Sequence, residues 1–481
     1  MSKTAGAYNN PYDWLTIALY SCLVLIGWLM LNAAFYEDGM NSNPFSPSSP
    51  LFTQTLWVII SLLAFWLVSY IDWKIWKTIA YPVYGFAIFL LIAVIFFGAE
   101  IKGARSWFRI GSFSFQPSEF AKLATILALS SYISYYKCDL KKWKSRFIAF
   151  GIILIPLLLI IIQGDPGSAT IFLALSVVLY REGLHSSFFI IAICIFLAFV
   201  LTIMFEPLIV IPLFIAATAF IYIGNLKHKR TSLIILTTLL LLHFFLWNFN
   251  FSNYPIFETL NRKFLMIGIL VLDSILIILA SLFMWSKRAR QLVTILLPAI
   301  IFVSSLSVGT DYIFNNILKP HQQDRINVWL KPSECDPRKS LYNIIQSKTA
   351  IGSGGLTGKG YLKGNMTELD HVPEQTTDFI FSIVGEEQGF FGVFSIILLF
   401  GVLIYKIVTI GEKAKNLFVR RYAYGVAGIL FFHMFINIGM TMGICPVIGI
   451  PLPFLSKGGT ALLFFSVMIG ILVKMEHSRL D

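Results

Sequence analysis

HQQDRINVWLKPSECDPRKSLYNIIQSKTAIGSGGLTGKG, His321–Gly360, and HVPEQTTDFIFSIVGEEQGFFG, His371–Gly392, belong to one long polar interruption, roughly Asp311 to Glu387, in a chain otherwise built of apolar spans. Acids, bases and glycines are concentrated there. In lipid, ionisable groups are costly unless they meet water, a partner charge or a substrate, so this interruption is where chemistry is expected. The remainder of the chain decides which side of a membrane it faces.

At 481 residues, 57% hydrophobic and only 13% charged, with a mean hydropathy of +0.77, the composition excludes an ordinary soluble globule. Apolar runs long enough to cross about 30 Å of hydrocarbon as helices extend from Trp14 to Ala34, Thr55 to Ile71, Thr78 to Phe97 and Ser118 to Tyr135. Further runs lie at Phe147–Ile162, Ser168–Tyr180, Phe188–Phe205, Leu208–Ile223, Ser232–Asn250, Lys263–Trp285 and Leu292–Leu306. After the polar interruption come Phe391–Ile410, Tyr422–Met442 and Thr460–Val473, which makes about fourteen helices in an all-α polytopic integral membrane protein. The first run is long enough to span, so it reads as a retained helix rather than a cleaved signal peptide.

Lys and Arg collect in cytoplasmic loops, and here they alternate consistently. Lys74 and Lys77, then Lys137, Lys141, Lys142, Lys144 and Arg146, then Lys227, Lys229 and Arg230, then Lys287, Arg288 and Arg290, and finally Lys413, Lys415, Arg420 and Arg421 fall on one side. Both termini then belong in the cytoplasm and the polar interruption on the outer face. Topology accounts for most of the net charge of +12, and there is no nucleic-acid motif. Cys22, Cys138, Cys194, Cys335 and Cys445 have no metal-ligand spacing; Cys335 and Cys445 both face outward, where a disulfide is geometrically open. The histidines form no HxxxH or HExxH pattern.

The outward segment GARSWFRIGSFSFQPSEFAK, Gly103–Lys122, mixes Arg105 and Arg109 with Trp107 and several phenylalanines. It suits either an aromatic belt at the lipid interface or, with Glu119 and Lys122 that follow as its floor, a site for an anionic lipid headgroup. Pro117 favours a helix start, and Glu119 and Lys122 then lie three residues apart on one face, able to pair within the membrane. The run GSGGLTGKG, Gly352–Gly360, lacks the spacing of a P-loop. A phosphate-contacting turn and a tight turn that needs glycine for close packing are both open readings. Chemistry alone does not choose a general base among Asp311, Asp324, Glu334, Asp336, Glu368, Asp370, Glu374 and Asp378.

Five ordered segments resemble the SEDS family of polytopic cell-wall enzymes, the RodA, FtsW and SpoVE proteins. They are QPSEFAK (Gln116–Lys122), GDPGSA (Gly164–Ala169), IIQSKTAIGSGGLTGKG (Ile344–Gly360), PEQTTDFIFSIVGEEQGFFG (Pro373–Gly392) and NIGMTMGICPVIGIPLPFLSKGG (Asn437–Gly459). The AIGSGGLTGKG form is more similar to the elongation branch, RodA, than to the division branch. The resemblance implies a peptidoglycan glycosyltransferase that polymerises lipid II into glycan strands at the outer face of the bacterial cytoplasmic membrane. It would work beside a class B penicillin-binding transpeptidase and other elongation-complex membrane proteins, with undecaprenyl-linked glycan as the growing strand.

The family's essential aspartate matches Asp336, the implied general base. The resemblance further implies Arg105, Arg109, Lys122, Arg325 and Lys359 as cations for the leaving diphosphate. It implies Trp107, Gln116, Ser118, Glu119, Gln346, Glu386 and Glu387 as residues that shape the pocket. It fixes no cofactor, although an anionic substrate beside acidic loops is compatible with a divalent cation such as Mg²⁺. This chain departs from the family where Lys339, Ser340, Leu341 and Tyr342 stand in place of G-x-G-Y, and where Lys457 replaces a common Tyr. It also carries about four extra helices among the ten or so of the family. The resulting division is 1–183 (N-terminal helices and the QPSE segment), 184–307 (inserted helices, including His243 and Asp273), 308–390 (catalytic loop with re-entrant segments) and 391–481 (C-terminal helices). A precursor-flipping transporter and a noncatalytic scaffold for a transpeptidase are the alternative functions.

Overall fold

A computed structural model describes residues 13–36, 49–205 except 102, 112 and 136, then 302, 305–307, 309–336, 340–368 and 372–477. The predicted spans Leu208–Ile223, Ser232–Asn250 and Lys263–Trp285, nearly all of Leu292–Leu306, and His243 and Asp273 lie outside the described residues. Among those described, eight helices are long and apolar enough to cross a membrane. The chain is a multi-pass, predominantly helical protein that divides into two compact units, Met1–His185 with Cys335–Asp481, and Ser186–Glu334.

In the first unit, α1 (Trp14–Ala34) matches its predicted bounds, whereas α2 (Pro50–Tyr70) and α3 (Trp73–Phe97) start earlier than hydropathy alone suggests. The cause is capping chemistry. The Ser49 hydroxyl accepts from the Leu51 amide, with Pro50 at the first helical position, and the Asp72 carboxylate accepts from the Lys74 amide. Between α3 and α4 (Pro117–Ile133) lies an element that helical periodicity does not announce. It is an antiparallel sheet of β1 (Ala99–Ile101), β2 (Ala104–Ile110) and β3 (Phe113–Phe115). Its two turns pass through Gly103 and Gly111, both at positive φ. α5 (Trp143–Ile162) follows, and the predicted span Ser168–Tyr180 is built from α6 (Pro166–Thr170), a 3₁₀ turn (Ile171–Leu175) and α7 (Ser176–Arg181).

After Asp336 come α10 (Ser340–Ser353), α11 (Asn365–Glu368), α12 (Ile380–Lys413), α13 (Leu417–Thr441) and α14 (Gly459–His477). Almost every residue of α4 is buried, as is most of α13, so these two are core helices and the others surround them. The packing beside them is aromatic. The Tyr20 ring stacks on Phe65 at 5.0 Å and meets Phe454 edge-on at 5.4 Å, while its hydroxyl donates to Ser466 Oγ at 2.7 Å. At the Leu417 end of α13, Glu182 accepts from Arg420 at 2.9 Å and also from Arg421, and Trp73 stacks on Phe418. Several of the basic loops therefore gather at that end.

α12 runs eleven residues further toward its N-terminus than the predicted Phe391 start, because it continues across Gly389, whose φ of 64° and ψ of −159° break the helical path. A Cβ at Gly389 would sit 2.3 Å from the Gly358 nitrogen. Alanine there meets both an unfavourable backbone region and a backbone clash, so Gly389→Ala is expected to cost about 2–4 kcal/mol. A thermal unfolding midpoint in detergent equal to that of the unsubstituted protein would contradict this.

The second unit contains α8 (Ser187–Met204), a π-helical turn (Ile313–Ile317), α9 (Pro320–Leu330) and a 3₁₀ turn (Pro332–Glu334) among its described residues. Thr202 and Ser307 hydroxyls lie 3.2 Å apart, and Phe196 stacks on Trp329 at 6.4 Å.

Candidate active site

The motif segments, far apart in sequence, converge at the Thr441 end of α13. The hub is the loop from Met442 to Gly458. Asn437, on the last turn of α13, donates from Nδ2 to the Asp378 carbonyl at 2.9 Å and to the Ile450 carbonyl at 2.7 Å, tying the hub to PEQTTDF. The Lys457 amide donates to the Thr376 carbonyl at 2.8 Å. GDPGSA packs so closely on the same loop that a Cβ at Gly167 would lie 2.2 Å from the Ile448 carbonyl oxygen. The Ser347 hydroxyl of α10 donates to the Thr441 carbonyl at 3.0 Å, which anchors IIQSKTAIGSGG on the end of α13.

β2 presents Arg105, Trp107 and Arg109 on one face, because alternate residues of a strand point the same way. Arg105 and Arg109 are exposed and Trp107 half-buried. Arg105 pairs with Glu100 at 3.2 Å, both well exposed, an arrangement of little energetic weight in water. The Arg105 amide donates to the Gln163 carbonyl at 2.9 Å. Gln116 Nε2 donates to Asp165 Oδ2 at 3.2 Å, and that carboxylate also accepts from the Ser168 hydroxyl at 2.7 Å. Sheet, QPSE turn and GDPGSA turn thus form one connected patch.

Within α4 the predicted pair is made: Lys122 Nζ lies 2.7 Å from Glu119 Oε1, with the side chains 1% and 3% exposed. Such burial removes Lys122 from direct contact with any substrate in this structure. The Ser118 hydroxyl is buried beside it with no hydrogen-bond partner. A partner absent from the sequence reading completes the arrangement, His433 of α13, whose Nε2 is 2.9 Å from Lys122 Nζ. Nothing in local spacing relates positions on two different helices, so no sequence signal could have found it.

Lys359 is also committed, with its ammonium 2.6 Å from Glu386 Oε1. Glu386, fully buried, further accepts from the amides of Met366 at 2.9 Å and Thr367 at 3.0 Å, and from the Thr367 hydroxyl at 2.7 Å. Glu387 is buried, bonds to the Leu362 backbone and keeps Oε2 without a partner. The amides of Gly358, Lys359 and Gly360 all donate to carbonyls, of Gly354, Glu386 and Glu387 respectively. Of the two readings of the glycine-rich run, the structure therefore supports close packing, since these amides are not free to cradle a phosphate. Glu386→Gln keeps the shape but removes the acceptor's negative charge and presents a misplaced donor to Lys359. A loss of about 1–3 kcal/mol is expected, with faster hydrogen exchange at Met366 and Thr367; unchanged exchange there would rule out the clamp.

Asp336 is exposed just before α10, and Gln346 is half-buried on α10. The sequence reading also missed Lys348, exposed on the same helix, whose Nζ lies so close over Gly443 that a Cβ there would sit 2.7 Å from it. Arg325 belongs to the second unit, exposed on α9. Burial lowers the Lys457 ammonium below its ordinary value, against the opposing effect of Glu374, and Lys457 Nζ sits 5.0 Å over the Phe35 ring. Cys445 is a free thiol, so the bridge to Cys335 that the sequence leaves open is not made. Among the described residues no group of three or more His, Cys, Asp and Glu side chains is gathered to hold a metal ion.

A family model named for FtsW, RodA and SpoVE and described as a cell cycle protein matches residues 13–218 and 265–480. The unmatched stretch falls inside the block that the sequence reading set apart as inserted. Among curated relatives, the peptidoglycan glycosyltransferase RodA of Treponema pallidum is 31% identical over 98% of this chain and 99% of its own length. The peptidoglycan glycosyltransferase MrdB of Escherichia coli K12 is 30% identical over 88% of this chain and 84% of its own. The crystal structure of the Thermus thermophilus rod shape determining protein RodA shares the fold, with a TM-score of 0.54 and 21% identity over 98% of each chain. A chain of a peptidoglycan synthase complex does likewise, with a TM-score of 0.60 and 22% identity over 98% of this chain and 99% of that one.

Proposed function

The chain belongs to the FtsW/RodA/SpoVE family of cell cycle proteins, and from that premise we propose that it is a peptidoglycan glycosyltransferase of the elongation type. It polymerises lipid II at the outer face of the bacterial cytoplasmic membrane, with both termini in the cytoplasm and a class B penicillin-binding transpeptidase as partner. The observation that carries this reading is identity of 31% along essentially the whole of a peptidoglycan glycosyltransferase RodA.

In the proposed reaction the GlcNAc 4-hydroxyl of lipid II attacks the anomeric carbon of the growing strand. The new glycosidic bond forms as the bond to undecaprenyl diphosphate breaks, and the hydroxyl proton passes to the Asp336 carboxylate. The leaving diphosphate carries the departing electron pair. Because Lys122 and Lys359 are held by Glu119 and Glu386, the exposed guanidinium groups of Arg105 and Arg109 are the better candidates for direct contact with it. The buried Lys122 then acts at a distance, as the positive end of its pair with Glu119, in surroundings where water does not screen it as it would at the surface.

The test is glycan-strand formation from lipid II by the purified protein, with and without a class B transpeptidase. Strands are expected with the partner present. If none form while the protein moves lipid II across vesicle membranes, it is a transporter; if neither activity is found and only partner activation is, it is a scaffold.

A further inference from the structure

His433 is fully buried on α13, 1% exposed, and touches two groups of fixed hydrogen-bonding character. Its Nδ1 is 3.1 Å from the Pro451 carbonyl oxygen, which only accepts. Its Nε2 is 2.9 Å from the Lys122 ammonium, which only donates. These partners define one state, a neutral imidazole with the proton on Nδ1 and the lone pair of Nε2 turned to Lys122. The ring is fixed further by Phe465, edge-on at 5.0 Å between centroids, and Phe465 also lies 5.4 Å from the ammonium.

A buried ammonium needs its charge matched and its N–H groups accepted. Glu119 matches the charge, and His433 accepts a second N–H across the gap between α4 and α13. Glu119 reaches Lys122 along its own helix, so it places the ammonium only relative to α4. His433 belongs to the helix that carries the hub loop, and through Pro451 it is bonded to that loop itself. The position of the Lys122 charge is thereby set relative to the loop that gathers PEQTTDF and GDPGSA.

We propose that His433 is a positioning residue for glycosyl transfer: as the neutral Nδ1–H tautomer anchored on Pro451, it holds the Lys122 ammonium where the field of that charge meets the departing diphosphate. This rests on the glycosyltransferase reading above. The negative charge on the diphosphate grows as its bond to the sugar breaks, so the field of Lys122 favours the transition state over the bound substrate and the larger part of the loss is expected in kcat rather than in KM.

The test is lipid II polymerisation by full-length protein with its transpeptidase partner, comparing wild type with His433→Gln, His433→Asn and His433→Leu. Glutamine places an amide oxygen at the depth of Nε2, so Lys122 keeps its acceptor. Asparagine is equally polar but reaches only the depth of Nδ1, so it keeps the Pro451 contact and loses Lys122. His433→Gln is expected to stay within about threefold of wild type, whereas His433→Asn loses about ten- to a hundredfold in kcat, with KM for lipid II close to that of His433→Gln and the protein still folded at the assay temperature, its unfolding midpoint lowered by the one unaccepted N–H. His433→Leu is expected to behave like His433→Asn, and if it does not fold the Gln–Asn comparison decides alone. His433→Asn as active as His433→Gln, or both as inactive as each other, overturns the proposal. Absence of strands from wild type overturns the glycosyltransferase reading instead, and this proposal with it.

Discussion

Asp336→Asn is expected to lower glycan-strand synthesis from lipid II by about 10²- to 10⁴-fold, the usual contribution of a general base, with no comparable loss of stability. Asparagine keeps the size and polarity of the side chain but cannot take up the proton of the attacking hydroxyl. Asp336 is exposed, and a substitution of similar shape at an exposed position usually changes stability by less than about 0.5 kcal/mol. The measurement is the initial rate of polymerisation with the transpeptidase partner present, beside thermal unfolding of both proteins. Undiminished polymerisation by a folded Asp336→Asn protein would remove Asp336 from the chemistry. A rate loss matched by a large fall in unfolding temperature would make its role structural. Asp336→Glu provides a third point: it restores a base on a longer arm, and partial recovery is expected if the carboxylate itself is what the reaction needs.

Lys122→Met carries the largest expected effect on stability. Removing one partner of a buried ion pair strands the other charge, here Glu119, at 3% exposure, and typically costs about 3–5 kcal/mol. The methionine also leaves His433 Nε2 without its donor. The double substitution Glu119→Gln with Lys122→Met removes both charges together, and more than half of the lost stability is expected to return, since replacing a whole buried pair is often nearly neutral. Activity is not expected to return with it, because the positive charge that the diphosphate senses is gone from both proteins. Unfolding midpoints of the two variants in detergent, read beside polymerisation rates, separate these roles. A Lys122→Met protein as stable as wild type would mean that Glu119 takes up a proton in the absence of the lysine at little cost. A double variant that regained full activity would mean that the pair serves the fold alone.

Several features of this protein were legible without coordinates because their causes are local. α1 runs from Trp14 to Ala34 in the structure, the bounds that hydropathy sets, since a run of apolar side chains needs only its own length to satisfy lipid. The Glu119–Lys122 pair was legible for the same reason, because three-residue spacing on a helix brings two side chains together whatever surrounds them. Other features were local but masked by a competing pattern. β2 alternates Arg105, Trp107 and Arg109 against Ser106 and Phe108, yet its aromatic and basic composition suits an interfacial segment equally well. The start of α12 at Ile380 lay hidden behind Gly389, which reads as a helix breaker until the close approach of Gly358 gives it a purpose.

What the sequence alone determined is the class of molecule and the placing of most described spans, which follow from composition, periodicity and short-range spacing; the segments expected to carry function came instead from the resemblance of five motifs to one family. Tertiary structure alone decided which of those residues are available for chemistry. Lys359 and Lys122 are both candidate cations on paper, and of their partners only Glu119 is legible there; folding assigns Lys359 to Glu386 and adds His433 and Phe465 around Lys122. It leaves Arg105 and Arg109 exposed on a strand. The physical reason is that a charge in low dielectric takes its meaning from the groups within a few ångströms. When these come from helices hundreds of residues apart, as Lys122 and His433 do, only the packing of those helices brings them together.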